Sequence, residues 1–304
     1  MATQKTLKNV ILANSSGVPS AAYVVTTTGV VFVNAKVKSG EYKDNGNGMM
    51  GAKKTFIDPN WVNSEFDIPV QMKKASALGT APSISNLLKI CGLAETITAA
   101  TKVEYKPGGS DEGVGQIKVY TDGYVRALSG VYGNIKISGK VGEPLSATAS
   151  VKGFMSSAQA TAEVNPAVTL DENMAPLVTK VTVLTVGGTQ LNADSFEFDM
   201  GNEIKELYAL DLSMYYLVDF DPTITITAVK EKGTDEQAWI DYASGTVRAI
   251  VIQVGAAGSM IELTIPYAML KDVAENDDSG NVKISRTFRA QASAGNDNYT
   301  ITYK

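Results

Sequence analysis

GQIKVYTDGYVRALSGVYGNIKISGKV, residues 115–141, consists of β-branched and aromatic runs broken by Asp-Gly and by single glycines. Asp122-Gly123 stands between two such runs, where a two-residue hairpin turn needs residues that tolerate positive φ. The same grammar recurs in AYVVTTTGVVFVNAKV (22–37), KVTVLTVGGTQL (180–191, with Gly187-Gly188 as its turn), TITITAVK (223–230) and TVRAIVIQVGAAGSMIELTI (246–265). These runs predict a mainly antiparallel β protein.

Helices are the exception. In GTAPSISNLLKICGLAET (79–96), Ser83 is placed to cap, Ile84, Leu87, Leu88 and Cys91 recur at helical spacing, and Gly92 sits at the left-handed stop. TDEQAWIDYASG (234–245) predicts a second helix, with Thr234 as cap, Gln237 closing the box and Gly245 as stop. A third and weaker helical pattern starts at Pro266 and runs through Met269, Leu270 and Val273.

The 304 residues are 44% hydrophobic, enough for a sizeable core, but the chemical inventory is narrow. With no histidine, there is no imidazole base, no His-based triad and no His-containing metal site. The one cysteine excludes intramolecular disulfides and cysteine-cluster metals, and its place on an apolar helix stripe assigns Cys91 to the core. No cofactor, metal or catalytic set is expected. The opening MATQKTLKNVILANSSG lacks a signal-like apolar segment, and nothing approaches the ~20 apolar residues of a membrane span, so a protein kept in a cytoplasm is expected.

Net charge is −5, which gives no reason for tight binding to a nucleic-acid backbone. The halves differ: residues 1–160 hold 17 basic against 11 acidic residues, and 161–304 hold 10 against 21. Such asymmetry suits a basic part of one copy meeting an acidic part of another.

Four short motifs recur in order. EFDI (65–68), a helix, VRA (125–127) and GNIKI (133–137) are followed by EFDM (197–200), a helix, VRA (247–249) and GNVKI (280–284). With the polar, Pro-punctuated stretch 156–176 read as a linker, this predicts an internal duplication into units 1–160 and 161–304, each with one principal helix. In both EFD motifs alternation puts Phe66 and Ile68, or Phe198 and Met200, on one face and Glu65 and Asp67, or Glu197 and Asp199, on the other. Paired carboxylates also serve glycosidases, but no sugar cleft or metal partner accompanies these. Residues 39–63 read as a long loop whose Lys43, Lys53 and Lys54 are mixed with Met49, Met50, Phe56 and Trp61, apolar anchors suited to a protein partner.

The run SEFDIPV, then GTAPSISNLLKICGLAET, then DGYVRALSGVYGNIKISGKVGEPLSATASVKGF resembles the tail tube proteins of long-tailed bacteriophages, the major tail protein family, over about residues 64–154. The resemblance implies two tandem β-sandwich or split-barrel units, each flanked by one helix. It implies a structural, non-enzymatic virion protein whose copies close into rings around a continuous β-barrel, with stacked rings conducting DNA into the host. For a duplicated chain it implies three copies per pseudo-hexameric ring, the alternative being a hexamer. The 39–63 loop would then touch the neighbouring ring or subunit, and Glu65, Asp67, Glu197 and Asp199 would line the lumen, past which DNA moves without specific binding. Partners would be further copies and the proteins that cap the tube ends, in the virion tail after assembly in the host cytoplasm. A competing reading from the composition is a carbohydrate-binding or adhesin-like β module.

Overall fold

The computed structural model describes all residues except 1–4, 6–8, 44–52, 109–114, 170, 180–181, 211, 232–235 and 257. The chain opens with β1 (Asn9–Asn14), the short β2 (Val24–Val25), β3 (Lys36–Lys43) and the long β4 (Lys53–Gln71). Helix α1 (Ser85–Ile90) leads into a hairpin of β5 (Leu93–Thr98) and β6 (Lys102–Pro107), followed by β7 (Gly115–Thr121), β8 (Tyr124–Lys140), β9 (Ser146–Met155) and β10 (Thr161–Ala162). The second part comprises β11 (Val183–Val186), β12 (Thr189–Gln190), β13 (Ala193–Asp199), β14 (Asn202–Ala209), β15 (Leu212–Phe220) and β16 (Thr223–Val229). After α2 (Glu236–Ser244) come β17 (Val247–Val254), β18 (Ile261–Asp278), β19 (Asn281–Ala290) and β20 (Thr300–Tyr303). All these strands join one sheet system except β14 and β15, which pair only with each other.

The predicted turns form because positive φ is available where the strands reverse. Asp122 and Gly123 adopt φ 43° and 86°, and Gly187 and Gly188 adopt 59° and 81°, the backbone twist that matches flanking antiparallel strands. Ser279-Gly280 turns β18 into β19 in the same way. Residues 115–141 therefore form the β7–β8 hairpin, and β8 continues past it to pair with β9.

The functional frame is a run of eight antiparallel strands in the order β3–β4–β9–β8–β13–β16–β19–β18. One face of this run is buried. Ile68, Ile135, Val151, Phe198, Ile224 and Phe288 lie there, in one core with Leu87, Leu88, Ile90 and Cys91 of the α1 region. That core runs unbroken through both halves of the chain, joined in front by β8 with β13 and behind by β6 with β20.

Several expectations need correction. Residues 39–63 are not a loop where they are described: β3 and the start of β4 zip together from Lys38–Asp58 to Lys43–Lys53, because cross-strand ladders satisfy backbone groups that an open loop would leave to water. The third helix does not form, since residues 266–273 lie within β18, held by β17 on one edge and β19 on the other. Pro266 falls at the irregularity between Ile265 and Ala268, a place where its missing N–H breaks no ladder bond. Helix α1 is shorter than predicted. Ser83 does not cap it, because its hydroxyl is engaged by the Asp171 carboxylate, and Ile84 stands at the N-cap without a side-chain bond. Thr234 lies outside the described residues. The recurring motifs also fall on unlike strands: the first VRA and GNIKI share β8, whereas the second VRA is in β17 and GNVKI leads into β19.

Cys91 is buried, as its helical position predicts, and burial pushes its thiol up to about 12. Its Sγ lies 2.9 Å from where a Cβ on Gly133 of β8 would stand, so this glycine lets the helix end approach the sheet. Asn202 ties the same place together, donating its amide to the Cys91 carbonyl (2.7 Å) and the Gly133 carbonyl (2.9 Å). Gly133→Ala is expected to destabilise the fold by about 1–3 kcal/mol in denaturant titration, and adding Cys91→Ala should recover part of that loss. Equal stability of Gly133→Ala and the parent would disprove this packing account.

Candidate functional site

Three features outside the core stand out: the open face of the eight-strand run, two protruding arms and the two ends of the run. On the open face, cross-strand register builds rows of side chains. One row reads Asp272, Thr287, Thr225, Glu197, Ser138, Ser146 and Gln71 from β18 to β4. Another carries Arg289, Thr223, Asp199, Lys136 and Thr148. The hydroxyls link strands, Ser138 with Ser146 at 3.0 Å and Thr225 with Thr287 at 3.1 Å.

Glu65, Asp67, Glu197 and Asp199 all share this face, as alternation requires. They do not make it acidic. Glu65 meets Lys152 at 3.0 Å and Lys36 at 3.5 Å, and the Lys152 contact holds its carboxyl below the usual range. Asp67 accepts from the Ser150 hydroxyl at 2.6 Å. Burial opposes ionisation of Asp199, but bonds from Asn134, the Gly201 amide and Lys136 (3.0 Å) outweigh it and leave this carboxyl below its ordinary value. Glu197 adds to the negative field that raises Lys136. With Asp194, Asp272 and Asp278 the face has seven strand carboxylates, set against six cations, Lys36, Lys136, Lys140, Lys152, Lys283 and Arg289, of which Lys283 meets both Asp194 and Asp278. An acid matched by a base on the neighbouring strand is a cross-strand ion pair, so the net field above the sheet is small.

The arms are the β3–β4 hairpin and the β14–β15 hairpin, which lie against each other. Trp61 packs edge-on to Tyr208 at 6.5 Å and to Phe154 at 6.4 Å, and its indole N–H donates to Glu206. Lys38 lies 4.6 Å above the Tyr208 ring, and the Tyr208 hydroxyl donates to Asp58. Trp61 is thus already occupied within the chain rather than free as an anchor for a partner. Phe56 (53% exposed) and Ile57 (64%) remain open near the first arm's tip, with Phe56 lying across Gly40. Lys53 pairs with Glu41 at 3.1 Å, Lys54 stands 5.9 Å from the Tyr42 ring centre, and Lys43 ends β3 in solvent. Met49 and Met50 lie outside the described residues. The second arm was missed by sequence reasoning, although ELYALDLSMYYLV (206–218) carries the alternation and Leu207, Leu210 and Leu212 are exposed around its turn.

A cleft of about 570 Å³ under α2 contains Asp241 and Arg248, but these hold each other at 2.8 and 2.9 Å, and the guanidinium keeps the carboxyl below its usual range. A group committed to such a pair is a poor proton carrier near neutrality. Among the described residues no cluster of acids and cysteine is built to hold a metal, and no helix is long and apolar enough to cross a membrane.

Comparison with protein families gives one result that spans both halves: a family model described as phage tail tube protein matches residues 21–292. Comparison with curated proteins gives no match.

Two outcomes follow from this geometry. Trp61→Ala should separate the arms, seen as faster proteolytic cleavage within 202–220 while the core melts nearly as before; unchanged cleavage would show that the arms do not support each other. Because the folded Asp199 carboxyl lies below its unfolded value, its contribution to stability is fully present above the ordinary carboxylate range and is lost as pH falls from there through the lower folded value. Asp199→Asn is therefore expected to lie below the parent in stability at pH 7 and to approach it near pH 3, measured by urea unfolding at each pH.

Proposed function

The chain belongs to the phage tail tube protein family, a structural component of the virion tail, and from that premise we propose that its copies close into rings that stack as a conduit for DNA. The observation that carries this reading is the eight-strand run itself. It ends at β3 with the segment before it on one side and at β18 on the other, and a sheet left with open edges is an aggregation hazard that ring closure removes.

Tandem organisation into units 1–160 and 161–304 is supported by pairing rather than by the short motifs. β1 pairs with β2 and β7, and β11 pairs with β12 and β17. β4 pairs with β9 and precedes α1, while β16 pairs with β19 and precedes α2. β8 holds β7, β9 and β10, whereas β18 holds β17, β19 and β20. Each unit thereby contributes four strands. Three copies would make a barrel about 50 Å across between backbones, from strand spacing and a tilt of roughly 40°, and six would make one of about 100 Å. The narrower bore suits a single DNA duplex, so we favour three copies per ring over a hexamer.

The open face, with Glu65, Asp67, Glu197 and Asp199, is the proposed lumen lining. Its balanced charges and hydroxyls offer a passing duplex few free cations, so little counterion release would hold it. The arm tips, with Lys43, Lys53, Lys54, Phe56 and the neighbouring Met49 and Met50, are the proposed contacts to the next ring, and other tail proteins would cap the tube ends. Assembly would take place in the host cytoplasm.

Electron microscopy of the purified chain tests this directly. Hollow tubes of uniform width with threefold ring symmetry are expected, and Phe56→Ser with Ile57→Ser should yield single rings instead of tubes. A chain that stays monomeric at high concentration would end the ring reading.

A further inference from the structure

The contact between β8 and β13 sits inside one chain, but its two sides belong to different halves. We infer that the junction between neighbouring copies repeats it, with the free edge of β18 at residues 272–278 pairing antiparallel with residues 30–36 of the next copy. This rests on the ring reading above and adds to it the strands and the register.

The free edge follows from overlap in the ladders. In β8, β9 holds one edge over 128–138, so β7, at 124–131, and β13, at 136–140, both lie on the other edge. In β18, β19 holds one edge over 268–278 and β17 takes the other over 261–269. Beyond 269 that second edge has no strand partner among the described residues. It stands where β13 stands on β8.

The complementary strand is the counterpart of β13. β13 runs along β16, and residues 27–36 run along β4, joined at Thr27–Val70 and Lys36–Asn63. Val31 and Val33 are buried while Phe32 is 57% exposed, just as Phe196 and Phe198 are buried around exposed Glu197. The outward backbone groups of β13 are met by β8, with the Met200 amide donating to Ile135 at 3.2 Å and the Val141 amide donating to Asp194 at 3.0 Å. Those of residues 31–33 are met by side chains instead: Asn9 donates to the Val31 carbonyl at 3.2 Å and accepts from its amide at 3.4 Å, and Arg126 donates to the Val33 carbonyl. Side-chain caps on a strand edge protect it in the free chain and are exchangeable for a ladder.

Charge favours the same partner. The free end of β18 carries Asp272 and Asp277, besides Glu275 and Asp278 that already meet Lys230 and Lys283, and the opposing segment ends in Lys36, which reaches Glu65 at 3.5 Å, with Lys38 beyond it. Carrying the internal register over places Phe32 opposite Asn276, Asn34 opposite Ala274 and Lys36 opposite Asp272. The last is an ion pair reversed in sense from Lys136–Asp199, which spans the internal junction at 3.0 Å. It also accounts for the basic first half and acidic second half, which meet at every junction.

Phe32 and Asn276 would form a pair without mutual backbone bonds, the closer type of antiparallel pair and one within disulfide reach. The chain carrying Phe32→Cys and Asn276→Cys, with Cys91 left buried, is assembled, imaged and oxidised. Covalent species should rise to a closed trimer on denaturing gels. Mixing Phe32→Cys chains with Asn276→Cys chains should give the dimer only when both are present, and Asp278→Cys in place of Asn276→Cys should cross-link several-fold less. Tubes that assemble in either format without a disulfide between the two substituted positions overturn this junction while leaving the ring reading intact. Failure of the parent chain to form rings overturns both.

Discussion

Backbone hydrogen bonding between β8 and β13 is the interaction on which the rest of this structure depends. It joins strands from opposite halves of the chain and turns what would be two short sheets into one run of eight. The residues it brings together are modest: Ser138 opposite Glu197, Lys136 opposite Asp199, Gly139 opposite Phe196. Its strength lies in satisfying a row of amides and carbonyls that would otherwise require water on one side of a buried core. The core behind it can then be continuous, with Phe198 meeting Tyr299 at 4.9 Å, and Tyr105 meeting Tyr303 at 6.0 Å across the second junction.

The same constraint explains how the surface is divided. A strand with one face in the core must present polar groups on the other, and on this run they are Ser, Thr and opposite charges held on adjacent strands. Local pairing keeps Glu65 and Asp199 ionised while their charge is spent on Lys152 and Lys136. A surface made this way is well hydrated but has little net field, unlike the acidic wall that counting carboxylates along the sequence would suggest. The arms obey a different rule. They protrude from the sheet, have too little core of their own to be stable singly, and support each other through Trp61, Tyr208 and Lys38.

The ionisable groups with the largest perturbations, Cys91, Tyr105, Tyr120, Tyr299 and Tyr303, are buried and shifted mainly by desolvation, which marks them as core members rather than reactive groups. Family membership and fold point the same way, to a structural protein.

What the sequence determined by itself is whatever depends on short-range period and local backbone preference. The hairpin at Asp122-Gly123, the strand grammar of 115–141, the burial of Cys91 and the common face of Glu65, Asp67, Glu197 and Asp199 were all legible, because alternation and turn chemistry act within a few residues. The tertiary structure alone decided the rest. Pro266 lies in a strand because β17 and β19 hold its neighbours, Trp61 is occupied because β14 and β15 fold back onto it, and Glu65 and Asp199 are neutralised because Lys36, Lys136 and Lys152 arrive from other strands. Period tells a side chain which way to face, but only long-range register tells it what it will meet.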